Sequence, residues 1–376
     1  MLSAVLILDN LRMGGFQRLA LDQAYSLSEN GYSVRILVLS TPISSKEPSF
    51  LFIEEDLIRQ LKVQIYFLGE SRLSQIFSLN RIVGKLSRED LLLSHTLRGT
   101  ALLLIQKFRI QSRAKLITTI HQLPTLSAPR QRFKRFCYAQ LTDILTGYSV
   151  AVKADWMEKI EYYPKFIRFF FQKELQVLRN GIYLNRLPSV NFAETYQPRI
   201  IYLGRSASWK GMENFFRIAS SPLLSNFKFL IMVPNEEDVS LDSLGSSVRE
   251  RFQIVSGKTV SSLSPQFGDV HIYPANYGSE TNYVESVSLN CLELASLGIP
   301  SILSQFGTST WSDLSEYSIF HECSWEYFDD VAKKVIKASK MRYKSDQLRE
   351  IRKIISIKNN IQNLIRISNG SKPLHS

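Results

Sequence analysis

Cysteine is scarce in this chain: Cys137, Cys291 and Cys323 are the only three among 376 residues. Because they are odd in number and are not spaced as metal ligands, the sequence contains neither a disulfide framework nor a zinc site built from cysteine. We expect reduced thiols in a cytoplasmic protein, with two or more of them filling the core.

Long apolar runs are missing as well. No stretch approaches the roughly 18 consecutive apolar residues that a membrane-spanning helix needs, so we expect no such helix. The apolar start, residues 1–8, has no basic residues before it and runs directly into Asp9. This pattern favours a first strand over a signal peptide.

Acidic residues are absent between Leu91 and Thr142, a segment that contains nine lysines and arginines. The net charge of +12 is therefore uneven: residues 1–185 carry 25 basic and 15 acidic side chains, whereas residues 186–330 carry 9 and 17. A basic surface on the first half would attract an anionic membrane, a polyanion or nucleic acid. Nucleic acid is not expected, because no known reader motif accompanies the charge.

What the chain does contain is two successive alternations of short apolar strands and amphipathic helices. They predict parallel sheets covered on both faces, and hence an α/β protein with two Rossmann-like doubly wound domains. A polar, proline-containing linker at 188–198 places the domains at 1–187 and 188–344. The predicted strands are 4–8, 34–39, 63–68, 91–94, 115–120, 144–146 and 176–178, then 200–203, 229–233, 253–255, 270–273, 301–303 and 318–320.

Two glycine-containing turns, each between a strand and a helix, are candidate phosphate sites. Gly14-Gly15 would let a ligand approach the backbone N–H groups of a helix N-terminus, although the turn lacks the GxGxxG fingerprint and a plain tight turn is the alternative. In the second turn, Arg205 and Lys210 are placed to neutralise a pyrophosphate. Ordinary surface cations are the alternative there.

Polar side chains at two other places point to the same kind of ligand. Glu285 and Glu293 flank the first part of a predicted helix, roughly 12 Å apart, which is too far for a shared proton but suits two parts of one extended ligand. A solvated surface pair is the alternative. His95 and His121 each follow the last residue of a predicted strand, and α/β sheets bind ligands beyond the carboxyl ends of their strands. The alternative is that they are loop histidines bonded to the backbone.

Together these features resemble the retaining glycosyltransferases of the GT-B type, specifically family 4, the glycosyl transferases group 1. The resemblance implies two domains that face each other across a cleft, the first binding the acceptor and the second the nucleotide sugar. It also implies a last helix, at about residues 345–370, that packs back on the first domain. The matching motifs, in the family's order, are Gly14 to Arg18, the strand ending in His121, Asp143 to Ser149, Val177 to Ile182, Gly204 to Gly211 and Glu285 to Pro300.

The resemblance assigns roles to single residues. Glu285, which would contact the donor sugar, and His121, which would line the sugar site, are the catalytic candidates. Arg205 and Lys210 would hold the donor diphosphate, and Glu293 the ribose hydroxyls. Replacing Glu293 or Lys210 by alanine should then abolish donor binding and leave the fold intact. The donor-binding set is completed by Gly14, Gly15 and Leu289.

The implied reaction transfers a sugar from a nucleotide-diphosphate sugar, preferably a UDP-sugar, to a saccharide or lipid-linked acceptor with retention of configuration. No metal or other cofactor is expected, and the product would be a cell-surface polysaccharide or glycolipid. Two alternatives stay open, the second of which is compatible with departures from the family pattern at Val287 and Phe306–Thr310. These are a nucleotide-sugar epimerase on the same scaffold and a catalytically silent partner subunit.

Basic and aromatic residues are interleaved around Arg130, Arg132, Lys134 and Arg135. We expect this surface to face the acceptor and to bind an anionic membrane. The protein would then be cytoplasmic, and peripheral on the inner face of the membrane. The alternative is that the aromatic residues are core and the cations a solvated face.

Overall fold

The computed structural model describes residues 1–42, 49–69, 71–104, 115–120, 150–154, 176–190, 197–206, 210–274, 287–304 and 309–369. The chain divides into two compact units. Unit 1 consists of Met1–Tyr183 and Ile357–Ser376, and unit 2 of Leu184–Ser356. No helix in the described ranges is both long enough and apolar enough to cross a membrane.

Unit 1 is built on a parallel sheet. Its described strands are β1 (Ser3–Leu8), β2 (Ser33–Val38), β3 (Gln64–Phe67), β4 (Leu91–Ser94), β5 (Lys115–Ile120), β6 (Val150–Ala154) and β7 (Gln176–Leu178). They follow the order β3-β2-β1-β4-β5-β6-β7. The central strand β1 pairs with β2 and β4, so that Ala4 lies opposite Val34 and Leu91.

Helices cover both faces of this sheet. The apolar residues of α1 (Gly15–Glu29) recur at helical spacing and are buried, and the helix stops before Gly31, whose φ of 83° is readily adopted by glycine. On the opposite face, Leu79 and Val83 pack against Val5 and Ile7 of β1 and their neighbours. The other described helices are α2 (Phe50–Ile53), α3 (Glu55–Gln60), α4 (Arg72–Val83) and α5 (Leu97–Leu104).

Unit 2 repeats this architecture with a parallel sheet of order β10-β9-β8-β11-β12-β13 in its described part. The strands are β8 (Arg199–Leu203), β9 (Lys228–Val233), β10 (Phe252–Ser256), β11 (Val270–Tyr273), β12 (Ser301–Ser304) and β13 (Phe320–Cys323). The helices are α6 (Met212–Ala219), α7 (Ser246–Arg249), α8 (Leu289–Ser296), α9 (Phe328–Ser339) and α10 (Ser345–Ile355).

The core of unit 2 lies on both faces of β8 because alternate residues of a strand point to opposite sides. Ile200 and Tyr202 pack with Phe215 of α6, whereas Ile201 and Leu203 pack with residues of α8. The alternating strands and helices predicted from the sequence are thus confirmed in both units.

Two parts of the prediction need correction. The strand placed at 318–320 begins at Phe320, because Ser318 turns the chain with a positive φ of 49°. The single terminal helix expected at 345–370 is two helices, since Ser356 has extended backbone. The first, α10, belongs to unit 2, and the second, α11 (Ile357–Ser368), belongs to unit 1. The strand predicted at 144–146 lies outside the described residues.

Asn360 fixes α11 on unit 1. Its side chain is buried, donates a hydrogen bond of 2.6 Å to the backbone oxygen of Arg179 and accepts one of 2.8 Å from Gln23 on α1. One amide therefore ties α11 both to α1 and to the chain that leaves β7.

Each sheet contains a place where the strand order reverses direction. In unit 1 the reversal lies between β1 and β4, and in unit 2 between β8 and β11. The connections on either side of such a point lead away from each other, which opens a crevice at the carboxyl ends of the two strands where α/β proteins bind ligands.

Candidate functional site at the strand-order reversal of unit 2

The loop after β8 brings two cations to the reversal point of unit 2. Gly204 has a φ of 149° and Gly211, which precedes α6, a φ of 73°, so both ends of the loop use backbone that favours glycine. Arg205 is exposed and Lys210 is partly buried. A cation at each end of a glycine-bounded loop before a helix is an arrangement suited to a phosphate ligand.

Two tyrosines, one on each strand of the reversal point, hold this loop. The hydroxyl of Tyr202 on β8 donates a hydrogen bond of 2.9 Å to the backbone oxygen of Arg205. The ammonium of Lys210 donates a hydrogen bond to the hydroxyl of Tyr273 on β11, and its Nζ lies 4.6 Å from the centroid of that ring. The protein itself therefore positions the backbone at Arg205 and the ammonium of Lys210.

The start of α8 lies beside the same loop. Asn290 in its first turn donates a hydrogen bond of 3.0 Å to the backbone oxygen of Leu203, the last residue of β8. Ser288 caps the helix by accepting from the backbone N–H of Cys291, and Leu289 is buried. The partial positive charge of this helix N-terminus thus adds to that of the two cations.

Glu293 lies within α8 and is buried, with its side chain 5% exposed. Its carboxylate forms an ion pair with the guanidinium of Arg186, whose side chain is 2% exposed and comes from the 3₁₀ turn Leu184–Arg186. The two residues are 107 positions apart in the chain. The sequence predicted a role for Glu293 in binding but gave no sign of this partner.

His271 lies on β11 two residues before Tyr273 and is fully buried. Its Nδ1 is 2.9 Å from the hydroxyl oxygen of Ser301 on the neighbouring strand. Burial lowers the pKa of His271 to about 3, and the positive charge of Lys210 contributes in the same direction. The imidazole beside this cation is therefore neutral at physiological pH.

The predicted glycines of unit 1 lie at the start of α1. Gly14 precedes the helix in extended conformation, and a Cβ atom there would collide with the side chain of Gln17. A Cβ atom on Gly15 would meet nothing within 4 Å. The helix has no side-chain cap and no acidic residue in its first turn. The space beside Gly15 would allow a phosphate or hydroxyl ligand to approach the start of the helix.

His95 does follow the last residue of β4, as the sequence predicted. It is buried, and its backbone N–H donates a hydrogen bond of 3.1 Å to the oxygen of Ile7. Val287, one of the departures from the family pattern, is also buried. Several predicted residues lie outside the described part of the chain, namely Glu285, His121, Arg130, Arg132, Lys134 and Arg135.

Histidine, cysteine and carboxylate side chains do not gather in groups of three or more that could hold a metal ion within the described ranges. Cys291 and Cys323 are both buried free thiols, and burial raises the pKa of Cys323 to about 12. Of the cysteines expected to fill the core, these two do so.

Comparison with known proteins gives matches in structure only. No model of a known protein family matches the sequence, and no curated protein matches it. Solved structures of several proteins resemble this chain over 98% of its length. Anabaena HepE in complex with UDP and glucose is 10% identical, with a TM-score of 0.65, and the match covers 98% of this chain and 100% of that one.

The sucrose-phosphate synthase of Thermosynechococcus elongatus is 12% identical, with a TM-score of 0.64, over 98% of this chain and 99% of that one. WaaG, a glycosyltransferase involved in lipopolysaccharide biosynthesis, is 15% identical, with a TM-score of 0.60, over 98% of this chain and 100% of that one. At these identities the likeness establishes architecture and not activity. The chain has the α/β fold of the GT-B glycosyltransferases, with two Rossmann-like doubly wound units.

Proposed function

We propose that this protein is a glycosyltransferase that takes its sugar from a UDP-sugar bound at the strand-order reversal of unit 2. The observation that carries the proposal is the loop from Gly204 to Gly211, in which one tyrosine holds the backbone of Arg205 and another holds the ammonium of Lys210, next to the N-terminus of α8. An exposed guanidinium, a pre-positioned ammonium and a helix N-terminus together match the charge of a nucleoside diphosphate.

The solved structures support the choice of ligand. Anabaena HepE has been crystallised with UDP and with UDP-glucose, and WaaB, a lipopolysaccharide outer core galactosyltransferase, also resembles this chain over 98% of its length. These are properties of those proteins. They make a UDP-sugar the first donor to test here and a surface saccharide or glycolipid the first product.

In the proposed reaction the bond between the anomeric carbon and the diphosphate oxygen breaks, and a bond from the acceptor hydroxyl oxygen to that carbon forms on the same face. The departing diphosphate takes the hydroxyl proton, so the products are the retained glycoside and UDP. Arg205 and Lys210 stabilise the negative charge that develops on the leaving diphosphate. The proposal needs no divalent ion, because the cations neutralise the diphosphate. Excess chelator should leave turnover unchanged.

Glu293 is the proposed ligand of the ribose hydroxyls, and its ion pair with Arg186 supports this assignment. The guanidinium limits the rotation of the buried carboxylate, so that its oxygen atoms are oriented as hydrogen-bond acceptors. Leu289 would pack beside the nucleotide from the first turn of the same helix. Glu285 and His121 remain the proposed contacts of the donor sugar.

The proposed acceptor is a saccharide or a lipid-linked saccharide. The basic segment around Arg130, Arg132, Lys134 and Arg135 would hold the protein at an anionic membrane surface on the cytoplasmic side. Attraction of this kind weakens with salt. Co-sedimentation with phosphatidylglycerol vesicles should therefore decrease steeply between low and high ionic strength, and salt-independent binding would contradict the assignment.

Calorimetric titration with UDP tests the donor site. Arg205→Ala and Lys210→Met should each weaken UDP binding by at least about tenfold, since each removes a charge-assisted hydrogen bond to phosphate. Lys258→Ala is the matched control, because it removes an exposed lysine from the same unit. Equal affinities in all four proteins would place the nucleotide elsewhere.

The reaction products distinguish sugar transfer from the two alternatives, an epimerase and a silent subunit. Incubation with UDP-glucose and a mixture of saccharide acceptors should release UDP. Formation of an epimeric UDP-sugar without release of UDP would establish an epimerase instead. Binding of UDP without either product would identify a silent subunit.

A further inference from the structure

A cavity of about 390 Å³ lies in unit 2 between the end of β13 and the first half of α9. This volume is within the range of small-molecule sites in proteins, about 300–1,000 Å³. None of the residues around the cavity belongs to the proposed donor site. Its wall consists of Cys323, Ser324, Tyr327, Asp330, Lys333 and Lys334.

The cavity is separate from the strand-order reversal of unit 2. In the described sheet, β13 is two strands beyond β11, with β12 between them. At a strand spacing of about 4.8 Å, this is roughly 10 Å from the strand that carries Tyr273. Cys323 ends β13, and its thiol donates a hydrogen bond of 3.4 Å to the backbone oxygen of Leu303 on β12. The sheet therefore fixes this part of the cavity wall.

One part of the wall is apolar and polarisable. Cys323 is buried, and burial raises the pKa of its thiol to about 12, so the sulfur is neutral and unreactive. Tyr327, by contrast, is 64% exposed. A large ring in solvent beside a cavity is available to pack against a ligand. Aromatic rings and sulfur both make favourable contacts with another aromatic ring, so this part of the wall favours an aromatic ligand.

The charged part of the wall comes from one face of α9. Lys333 and Asp330 are one turn apart and pair with each other at 3.2 Å, so their charges offset each other. Lys334 instead donates a hydrogen bond of 2.5 Å to the backbone oxygen of Glu322, which holds the ammonium without neutralising it. Because an ammonium has three protons, Lys334 can donate to a ligand while it keeps this bond.

His321 confirms that positive charge gathers on this side of β13. It lies two residues before Cys323, and alternate residues of a strand point to the same side. Burial lowers the pKa of His321, and the charges of Lys337 and Lys334 contribute in the same direction. Its Nε2 is buried and has no hydrogen-bond partner in the described part of the chain. The neighbourhood of Lys334 is thus suited to an anionic group.

Acidic side chains limit the charge that such a group can carry. Asp329 and Asp330 lie in the first turn of α9. The carboxylate of Glu322 acts on the Cys323 thiol together with Lys334, the two having opposite effects on its pKa. These carboxylates would repel a doubly charged phosphate, whereas a single carboxylate can pair with Lys334.

We propose that this cavity binds a small aromatic carboxylate, whose ring packs against Tyr327 and Cys323 and whose carboxylate accepts a hydrogen bond from Lys334. The site is additional to the donor site, and the proposal does not rest on the proposed function.

Benzoate is the probe, and amide NMR spectra of the full chain follow its binding. The shift changes should be saturable and should concentrate at Ser324 and the first turns of α9, with a Kd on the order of millimolar for so small a ligand. Benzyl alcohol has the same ring without the charge and should bind at least about tenfold more weakly. Shift changes centred elsewhere, or equal binding of the two probes, would overturn the proposal.

Two substitutions test the two parts of the wall. Lys334→Met should weaken benzoate binding by at least about tenfold, and Tyr327→Ala by about three- to tenfold. Lys337→Met is the matched control, since it removes the same charge one turn further along α9 from a residue outside the cavity wall. It should bind benzoate within about twofold of wild type. Wild-type affinity in both Lys334→Met and Tyr327→Ala would overturn the assignment.

Titration with UDP separates this proposal from the proposed function. Benzoate should bind with the same affinity, within about twofold, in the presence and absence of saturating UDP, because the UDP site is assigned to the strand-order reversal. Displacement of benzoate by UDP would show that the cavity belongs to the nucleotide site and would overturn the proposal. Absence of UDP binding by wild type would overturn the proposed function and leave the benzoate result intact.

Discussion

Lys210 donates a hydrogen bond to the hydroxyl of Tyr273, the last residue of β11, which is one of the two strands at the strand-order reversal of unit 2. Lysine is a flexible side chain that loses conformational freedom when it binds a phosphate. A buried tyrosine that holds the ammonium beforehand reduces this loss. Tyr273 is thus a positioning residue for a cation that we assign to the diphosphate.

Replacing Tyr273 by phenylalanine removes the hydroxyl and keeps the ring. UDP affinity should decrease by about three- to tenfold, the equivalent of one hydrogen bond, and calorimetry measures it directly. Tyr327→Phe is the control, because Tyr327 is 64% exposed in the same unit. If Tyr273→Phe binds UDP as tightly as wild type, the tyrosine does not prepare Lys210 for the ligand.

The ion pair between Arg186 and Glu293 leads to a second prediction. The sequence suggested that Glu293→Ala would leave the fold intact, but both side chains are almost fully buried. Removing one partner leaves an uncompensated charge and should reduce the free energy of unfolding by about 3–5 kcal/mol. Denaturant unfolding of Glu293→Gln and Arg186→Met measures this loss.

The double variant Arg186→Met/Glu293→Leu separates stability from binding. It should be more stable than either single variant, because no buried charge is left alone, and yet should bind UDP weakly if Glu293 contacts the ribose. Retention of wild-type UDP affinity in the double variant would remove Glu293 from the donor site and leave the pair a purely structural role.

Much of the fold could be predicted from sequence because it depends on local periodicity. The run Ile200 to Leu203 and the helix that follows were recognisable from apolar residues alone. Arg205 and Lys210 were recognisable as cations in a loop that precedes a helix, whereas the role of Glu293 was implied by the family resemblance.

The contacts that organise the site could not be predicted in this way. Tyrosines at strand ends are expected from strand propensity, so Tyr202 and Tyr273 carried no separate signal. Arg186 meets Glu293 only through the fold, since they are 107 positions apart. The end of a strand is predictable from sequence, whereas its spatial neighbours are not.

A third prediction concerns pH. The pKa of His271 is lowered to about 3 in the folded protein, chiefly by burial, from an ordinary value of 6.5. Between these two values the unfolded chain binds a proton that the folded protein does not, so stability should decrease as the pH falls. The contribution of His271 to the slope of the free energy of unfolding against pH approaches about 1.4 kcal/mol per pH unit once the pH is well below 6.5.

Chemical unfolding at several pH values between about 7.5 and 4 checks this slope. Asp9 and Asp269 have raised pKa values owing to burial. Their contribution to the pH dependence of stability has the opposite sign from that of His271 and acts at the acidic end of this pH range. The informative quantity is therefore the difference between wild type and His271→Gln, which should change with pH in the stated direction. A pH-independent difference would mean that the folded protein protonates His271.

The last prediction concerns the docking of α11 on unit 1. Asn360→Ala should leave both the backbone oxygen of Arg179 and the side chain of Gln23 without their partner inside the protein. Each unsatisfied buried group costs about 1–3 kcal/mol, so the free energy of unfolding should fall by at least about 2 kcal/mol. Lys358→Ala, at an exposed position two residues earlier on the same helix, should change the free energy of unfolding by less than about 0.5 kcal/mol.

Hydrogen exchange distinguishes loss of docking from general destabilisation. Faster exchange confined to α11 and the facing part of α1 shows that Asn360 holds the helix in place. Uniformly faster exchange throughout unit 1 would show instead that α11 unfolds only together with the rest of the unit.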